Sequence, residues 1–315
     1  MDFWTEDDIP DQTDRTVLVT GANSGLGLRT ATVLAGKGAR ILLACRSAER
    51  GRTALTTVRA AAVGAEPELV SLDLADLASV RAAAETVRAS TGDRLDVLVN
   101  NAGLMMVPRG RTVDGFETQF GTNHLGHAAL TWLLMPALRG GKDARVVTVS
   151  SVAAHAGRID LDDPNYERRR YLPTTAYGQS KLANQVFALE LDRRLRAAGD
   201  EVISVAAHPG YTSTGLGSGM ASSYRHPVIR AVLAAGNKAG ELLFAQGTRM
   251  GTLPQLYAAT APQVRGGDYI GPHRLGGARG YPVAVRPLRS ALDPATGAGL
   301  YQLSATMTGI TPDPR

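Results

Sequence analysis

The sequence predicts an α/β protein: one doubly wound domain in which about seven parallel strands form a sheet with helices on both faces. Three observations carry that expectation. Short apolar runs of strand length recur along the chain, and longer Ala-, Leu- and Arg-rich segments with helical spacing separate them. Nothing between them is a repeat, or a Pro-, Gly- or Ser-rich linker of the kind that divides two domains. The chain has 315 residues, 44% hydrophobic and 20% charged, enough for a sizeable core.

The strands are read at 16–20, 40–45, 69–72, 95–100, 145–150, 202–207 and 268–270. They are apolar throughout rather than alternating, as strands buried on both faces must be, and parallel strands joined by helices meet that condition. Helical spacing is clearest in Val80, Ala83, Ala84 and Val87, and again in Phe187, Leu191 and Leu195. Two segments break the alternation. Residues 152–173 are polar and carry the run Arg168, Arg169, Arg170, read as a solvated face. Residues 210–247 are rich in Gly and Ser around an apolar stretch at 228–235, the look of a lid over a site. The expected layout is an acidic extension over 1–14, a domain over 15–270 and a C-terminal extension over 271–315.

Composition narrows the function. A net charge of +5 is small for this length and does not point to nucleic acid. The excess of Arg over Lys fits a GC-rich, bacterial genome. The single cysteine, Cys45, excludes a disulfide framework and a Cys-rich metal site, and a reducing cytoplasm is the natural compartment. Asp2, Glu6, Asp7, Asp8, Asp11 and Asp14, with no basic neighbour, argue against a targeting peptide, and no apolar stretch reaches the ~20 residues that span a bilayer. His124 and His127 stand three apart, but no acid or thiol has ligand spacing to them, so no metal is expected.

The first strand ends in Thr20-Gly21-Ala22-Asn23-Ser24-Gly25-Leu26-Gly27 and runs into a helix. Phosphate groups need a tight turn, free backbone N–H groups and the positive end of a helix dipole, and glycines there supply all three. Tyr177 and Lys181 stand four apart, so one helix face presents both. With nine tyrosines and few lysines, roughly 0.1 such pairs are expected by chance, and there is one.

With Asp73-Leu74 after the third strand, Asn100-Asn101-Ala102-Gly103 after the fourth and His208-Pro209-Gly210 after the sixth, these motifs resemble the classical short-chain dehydrogenase/reductases across 15–270. The resemblance implies a Rossmann-type fold and a nicotinamide dinucleotide held by Gly21, Asn23, Ser24, Gly25, Leu26, Gly27, Asp73, Leu74, Asn101, Ala102, Gly103, Pro209, Gly210 and Thr212, together with Tyr177 and Lys181. Asp73 also reads as an N-cap or turn aspartate, and the Asn-Asn-Ala-Gly run as a turn. At the end of the second strand an acid would favour NAD(H) and an arginine the 2′-phosphate of NADP(H). Arg46 stands there with Ser47 beside it, favouring NADP(H), unless Arg46 is a solvated loop residue.

The same resemblance makes Tyr177 the general acid/base, with the Lys181 ammonium depressing its pKa toward neutrality. Ser151 polarises the carbonyl, with Ser150 the second choice one register away, and Asn123 holds a proton relay to the lysine. Residues 152–173 are an insertion that puts Ser151 and Tyr177 unusually far apart in the chain. That insertion, with Asn123-His124-Leu125-Gly126-His127, resembles the retinol-dehydrogenase-like and WW-domain-oxidoreductase-like branch, which implies a lipophilic alcohol, aldehyde or ketone. Met105 and Met106 either line its pocket or pack in the core; His155 reads as a surface-loop residue. Homodimers and homotetramers are common in the family. The rival readings are a C=C reductase of the protochlorophyllide-reductase type, which depends on cysteines near its substrate, and a non-catalytic NADP sensor, which tends to lose Tyr or Lys.

Overall fold

The computed structural model describes residues 3–212 and 246–315. Among them eight strands form one sheet in the order β3-β2-β1-β4-β5-β6-β7-β8. Seven are parallel: β1 Thr16–Thr20, β2 Arg40–Cys45, β3 Glu68–Ser71, β4 Val97–Asn100, β5 Arg145–Val149, β6 Ile203–Ala207 and β7 Tyr269–Arg274. The eighth, β8 Arg279–Ala284, runs antiparallel along β7. The helices are α1 Gly25–Gly36, α2 Ala48–Ala61, α3 Leu77–Thr91, α4 Thr118–Phe120, α5 Gly126–Arg139, α6 Pro173–Ala197, α7 Thr248–Thr260 and α8 Pro294–Thr308. Strand order reverses between β1 and β4, and such a reversal opens a crevice at the carboxyl ends of the strands.

Alternate side chains of each buried strand serve two cores. Val17, Val19, Ile41, Leu43, Val97 and Val99 pack with α1, α2 and α7, while Leu18, Leu42, Leu98 and Val146 pack with α3, α5, α6 and α8. The helical spacings hold: Val80, Ala83, Ala84 and Val87 are the buried face of α3, and Phe187, Leu191 and Leu195 belong to that of α6.

The C-terminal boundary moves. Residues 271–315 are part of the folded body rather than an appendage: the seventh strand continues to Arg274, β8 extends the sheet, and α8 closes one core. Tyr301 on α8 is buried, stacks on Phe187 at 5.9 Å and accepts from the Trp132 indole at 2.9 Å. The motif Gly271-Pro272 and the pair Gly280, Pro282 hide the last hairpin from a propensity reading, but Pro is tolerated at a sheet edge. The acidic N-terminus is docked too, with Glu6 paired to Arg29 and Arg249 and Trp4 set edge-on to Tyr257, so it bridges α1 and α7.

The basic run in the insertion also needs correction. Arg168 and Arg170 are exposed, but Arg169 is half-buried and organises the segment. Its guanidinium lies 4.1 Å from the centre of the Tyr166 ring and donates to the Asp163 carbonyl at 2.6 Å and to Gln179 on α6 at 2.9 Å. Asp163 is buried, accepts from the N–H groups of Glu167, Arg168 and Arg169, and its carboxyl is held below the usual range. Of the segment read as a lid, residues 213–245 lie outside the described residues. Among the described residues, no helix is long and apolar enough to cross a membrane.

Candidate active site

The crevice begins at the turn after β1. Gly21 takes a φ of +66°, and a Cβ on Gly27 would lie 2.4 Å from the Gly21 carbonyl and 2.6 Å from Asn101 Nδ2. Only glycine fits both demands, so the chain can turn from β1 straight into α1. The N-cap of α1, Ser24, makes no side-chain cap, leaving the first-turn N–H groups without an intrahelical or capping partner. An uncapped, glycine-opened helix N-terminus at a strand reversal fits the pyrophosphate of a dinucleotide. Asn23 is half-buried and Ser24 exposed in this turn, whereas Leu26 and Leu74 are buried, so their backbone is what they offer a ligand.

The turn after β4 is locked to the turn after β1. Asn101 Nδ2 donates to the Thr20 carbonyl at 2.8 Å, and the Asn101 and Ala102 N–H groups donate to Thr20 Oγ1 at 2.9 and 3.0 Å. Gly103 faces the far side, where a Cβ would sit 3.1 Å from Asn123 Oδ1 and 3.4 Å from Lys181 Nζ. Of the two alternatives for Asp73, the turn is the structural one: its Oδ1 accepts from Ala75 N at 3.0 Å, while Asp76 caps α3. Ser47 is the N-cap of α2, accepting from Arg50 N, and Arg46 stands exposed beside it. Gly210, at a φ of +66°, turns the chain after β6, and the Pro209 carbonyl accepts from Thr212 at 2.7 Å and Gln246 at 2.9 Å.

The reactive side chains gather at the ends of β5 and α6. The strand stops at Val149, one residue short of expectation, and Ser150 Oγ donates to the Lys181 carbonyl at 2.7 Å. Ser150 is thereby spent on α6. Ser151 opens the next turn, its Oγ accepting from Ala153 N at 3.2 Å, and it is the serine hydrogen-bonded to Tyr177. Lys181 Nζ donates to the Val149 carbonyl at 3.0 Å, which Asn184 also serves at 3.1 Å, and sits 6.0 Å from the centre of the Tyr177 ring. Asn123 lies in a π-helical turn, Gly121–Leu125, ahead of α5. Its side chain accepts from Leu104 N at 2.7 Å and donates to the Leu104 carbonyl and to Ser180, each at 2.9 Å.

The expected depression of Tyr177 is not found in the protein alone. Burial pushes its phenol up to about 12, opposed by the Ser151 hydrogen bond, and burial brings Lys181 down to about 8. Removing water from a phenolate outweighs an ammonium that the Val149 carbonyl holds away from the oxygen.

Several residues near this cluster carry no motif. Tyr171, in the insertion, donates to the Val107 carbonyl at 2.9 Å, and Gln119 donates to it at 3.0 Å. Buried Glu117 caps α4 and lies 3.2 Å from the same hydroxyl; burial raises its carboxyl. These contacts pin the insertion against residues 105–108, which are half-buried, as are Met105 and Met106 among them. His155 is exposed, as a surface-loop residue would be. The two histidines after Asn123 point to different partners, His124 to Ser304 at 2.8 Å and His127 to Thr20 at 2.9 Å, and no metal-ligand cluster is present among the described residues. Cys45 is buried at the end of β2, with its thiol pushed up to about 11, and β1 and β4 separate its strand from β5.

The sequence matches the short chain dehydrogenase family over residues 15–224. Among curated proteins it is 40% identical to human retinol dehydrogenase 13 over 252 residues, 79% of this chain and 73% of that one. It is 42% identical to mouse polyprenol dehydrogenase over 270 residues, 83% and 77% of the two chains. Among solved structures, an uncharacterized protein of Mycobacterium paratuberculosis is 42% identical and superposes with a TM-score of 0.78 over 98% of both chains.

Proposed function

The chain belongs to the short-chain dehydrogenase family and is an oxidoreductase, and from that premise we propose that it interconverts a carbonyl and an alcohol on a lipophilic small molecule, using NADP(H). The observation that carries this reading is the convergence of Ser151, Tyr177, Lys181 and Asn123 at the carboxyl ends of β4 and β5, beside the uncapped N-terminus of α1. The cofactor, when bound, supplies or accepts the hydride. The chain then has to orient the carbonyl, manage one proton and exclude water.

Ser151 acts on the Tyr177 phenol, and the two hydroxyls would share the carbonyl oxygen between them. A phenol held at about 12 keeps its proton, which suits protonation of the alkoxide that forms on reduction. Lys181, at about 8, is still mostly ammonium near neutral pH and stabilises Tyr177 after the proton leaves. Asn123, joined to α6 through Ser180, holds the path by which Tyr177 is reprotonated. Arg46 supports NADP(H), since an exposed guanidinium at the end of β2 suits a 2′-phosphate. Two relatives are dehydrogenases named for retinol and polyprenol, both lipophilic alcohols, and the half-buried Met105 and Met106 follow directly on Leu104, which is bonded to Asn123.

Tyr177→Phe tests the scheme. Against a panel of ketones, aldehydes and quinones, NADPH oxidation should fall at least about a hundredfold, the lower end of what a positioned general acid contributes. A variant with the full activity of the parent would overturn it.

A further inference from the structure

His127 lies one helical turn beyond Asn123, and its side chain is 1% exposed. Ring Nδ1 is 2.9 Å from the Asn123 carbonyl oxygen, and ring Nε2 is 2.9 Å from Thr20 Oγ1. A carbonyl can only accept, so Nδ1 carries the proton. Burial, with Lys181 adding repulsion, brings the ring down to about 4, so it is neutral and Nε2 is an acceptor. Thr20 then donates to Nε2, in preference to the longer 3.3 Å contact with the Val99 carbonyl, and keeps both lone pairs for Asn101 N and Ala102 N. Both ring nitrogens of His127 and the donor and acceptor sides of Thr20 Oγ1 are thus satisfied along this path. Neither a lysine nor a carboxylate could take this place, because the bridge needs one donor and one acceptor fixed about an imidazole's width apart.

We infer that His127 is a positioning residue, a two-ended bridge that holds the Asn123 backbone in register with Thr20 and so aligns proton handling at α6 with the turn that takes the cofactor. This rests on the reading of Asn123, Tyr177 and Lys181 as the reactive set. The bridge acts through both partners, so once it is cut at Thr20, which also strips the acceptor from the Asn101 and Ala102 N–H groups, cutting it again at His127 adds little.

The experiment is a double-mutant cycle. Thr20→Val removes the hydroxyl at nearly constant volume, and His127→Asn keeps a donor near the Nδ1 position while falling short of Thr20. His127→Asn should lower kcat about tenfold with little change in KM for the carbonyl substrate, Thr20→Val should lower it further because it also orphans the Asn101 and Ala102 N–H groups, and adding His127→Asn to Thr20→Val should cost little more. Thr20→Ser, which restores the hydroxyl, should recover kcat. Singles that multiply, or variants that lose thermal stability with kcat intact, would overturn the bridge. The same cycle is read on the NADPH dissociation constant by fluorescence titration. If Tyr177→Phe keeps full turnover, the functional reading fails by itself, and coupling in the binding cycle still decides the bridge.

Discussion

Lys181 and Arg46 are two cations at the same end of one sheet, and the molecule treats them oppositely. Lys181 is 4% exposed, its ammonium held by the Val149 carbonyl and its backbone carbonyl by Ser150, with Gly103 leaving just enough room above it. Arg46 stands exposed at the β2–α2 corner, next to a serine already occupied in capping α2. The floor of the site is a set of buried groups held by hydrogen bonds within the protein, and the rim is a set of side chains that meet solvent. A floor group therefore fails when its shape changes, whereas a rim group fails only when its charge changes.

Swapping each cation tests that difference. Lys181→Arg keeps the charge, but a forked guanidinium has no space under Gly103 and cannot stand in as a compact point charge. We expect kcat to drop by at least about a hundredfold, the scale of a lost acid–base partner. A variant within a few-fold of the parent would show that the floor tolerates shape. Arg46→Lys should leave NADPH turnover within a few-fold. Arg46→Asp should shift the ratio of kcat/KM for NADPH over NADH by about tenfold to a hundredfold, since charge-assisted hydrogen bonds contribute roughly 1.5–3 kcal/mol. An unchanged ratio would remove the NADP assignment.

Legibility divides along the same line. Tyr177 and Lys181 were readable because a helical spacing is local and lysine is scarce. The glycine turn was readable because φ and close approach restrict the residue directly. Ser151 is preferred to Ser150 by resemblance alone, since the two differ by one register step, and the carbonyl on α6 that occupies Ser150 Oγ lies far along the chain. Arg169 was misjudged for a like reason: in sequence it is one of three adjacent arginines, and its burial depends on Asp163, Tyr166 and Gln179. The hairpin of β7 and β8 was missed because Gly and Pro mask an edge strand. His127 shows in sequence only a spacing to His124 that fits no metal, and its partner Thr20 lies more than a hundred residues away. The electrostatics misled most, because a charge pair is visible in sequence and burial is not.

Buried neutrality also makes the floor sensitive to acid. Burial brings His124 down to about 3 and His127 to about 4, against an ordinary imidazole near 6.5. In the unfolded chain both rings bind a proton as pH falls through about 6.5, while the folded protein refuses it until much lower. The unfolded state therefore holds more protons across that window, and folding stability, fully present above it, is lost as pH falls. Each such ring contributes a slope approaching about 1.4 kcal/mol per pH unit. His124→Gln keeps a donor for Ser304 on α8 and removes one titrating ring. Urea unfolding at pH 7, 6 and 5 should give a shallower acid decline in this variant than in the parent, by about 1 kcal/mol per pH unit at the low end. Parallel declines would mean that His124 takes up its proton in the folded protein, and that the floor is wetter at α8 than its hydrogen bonds imply.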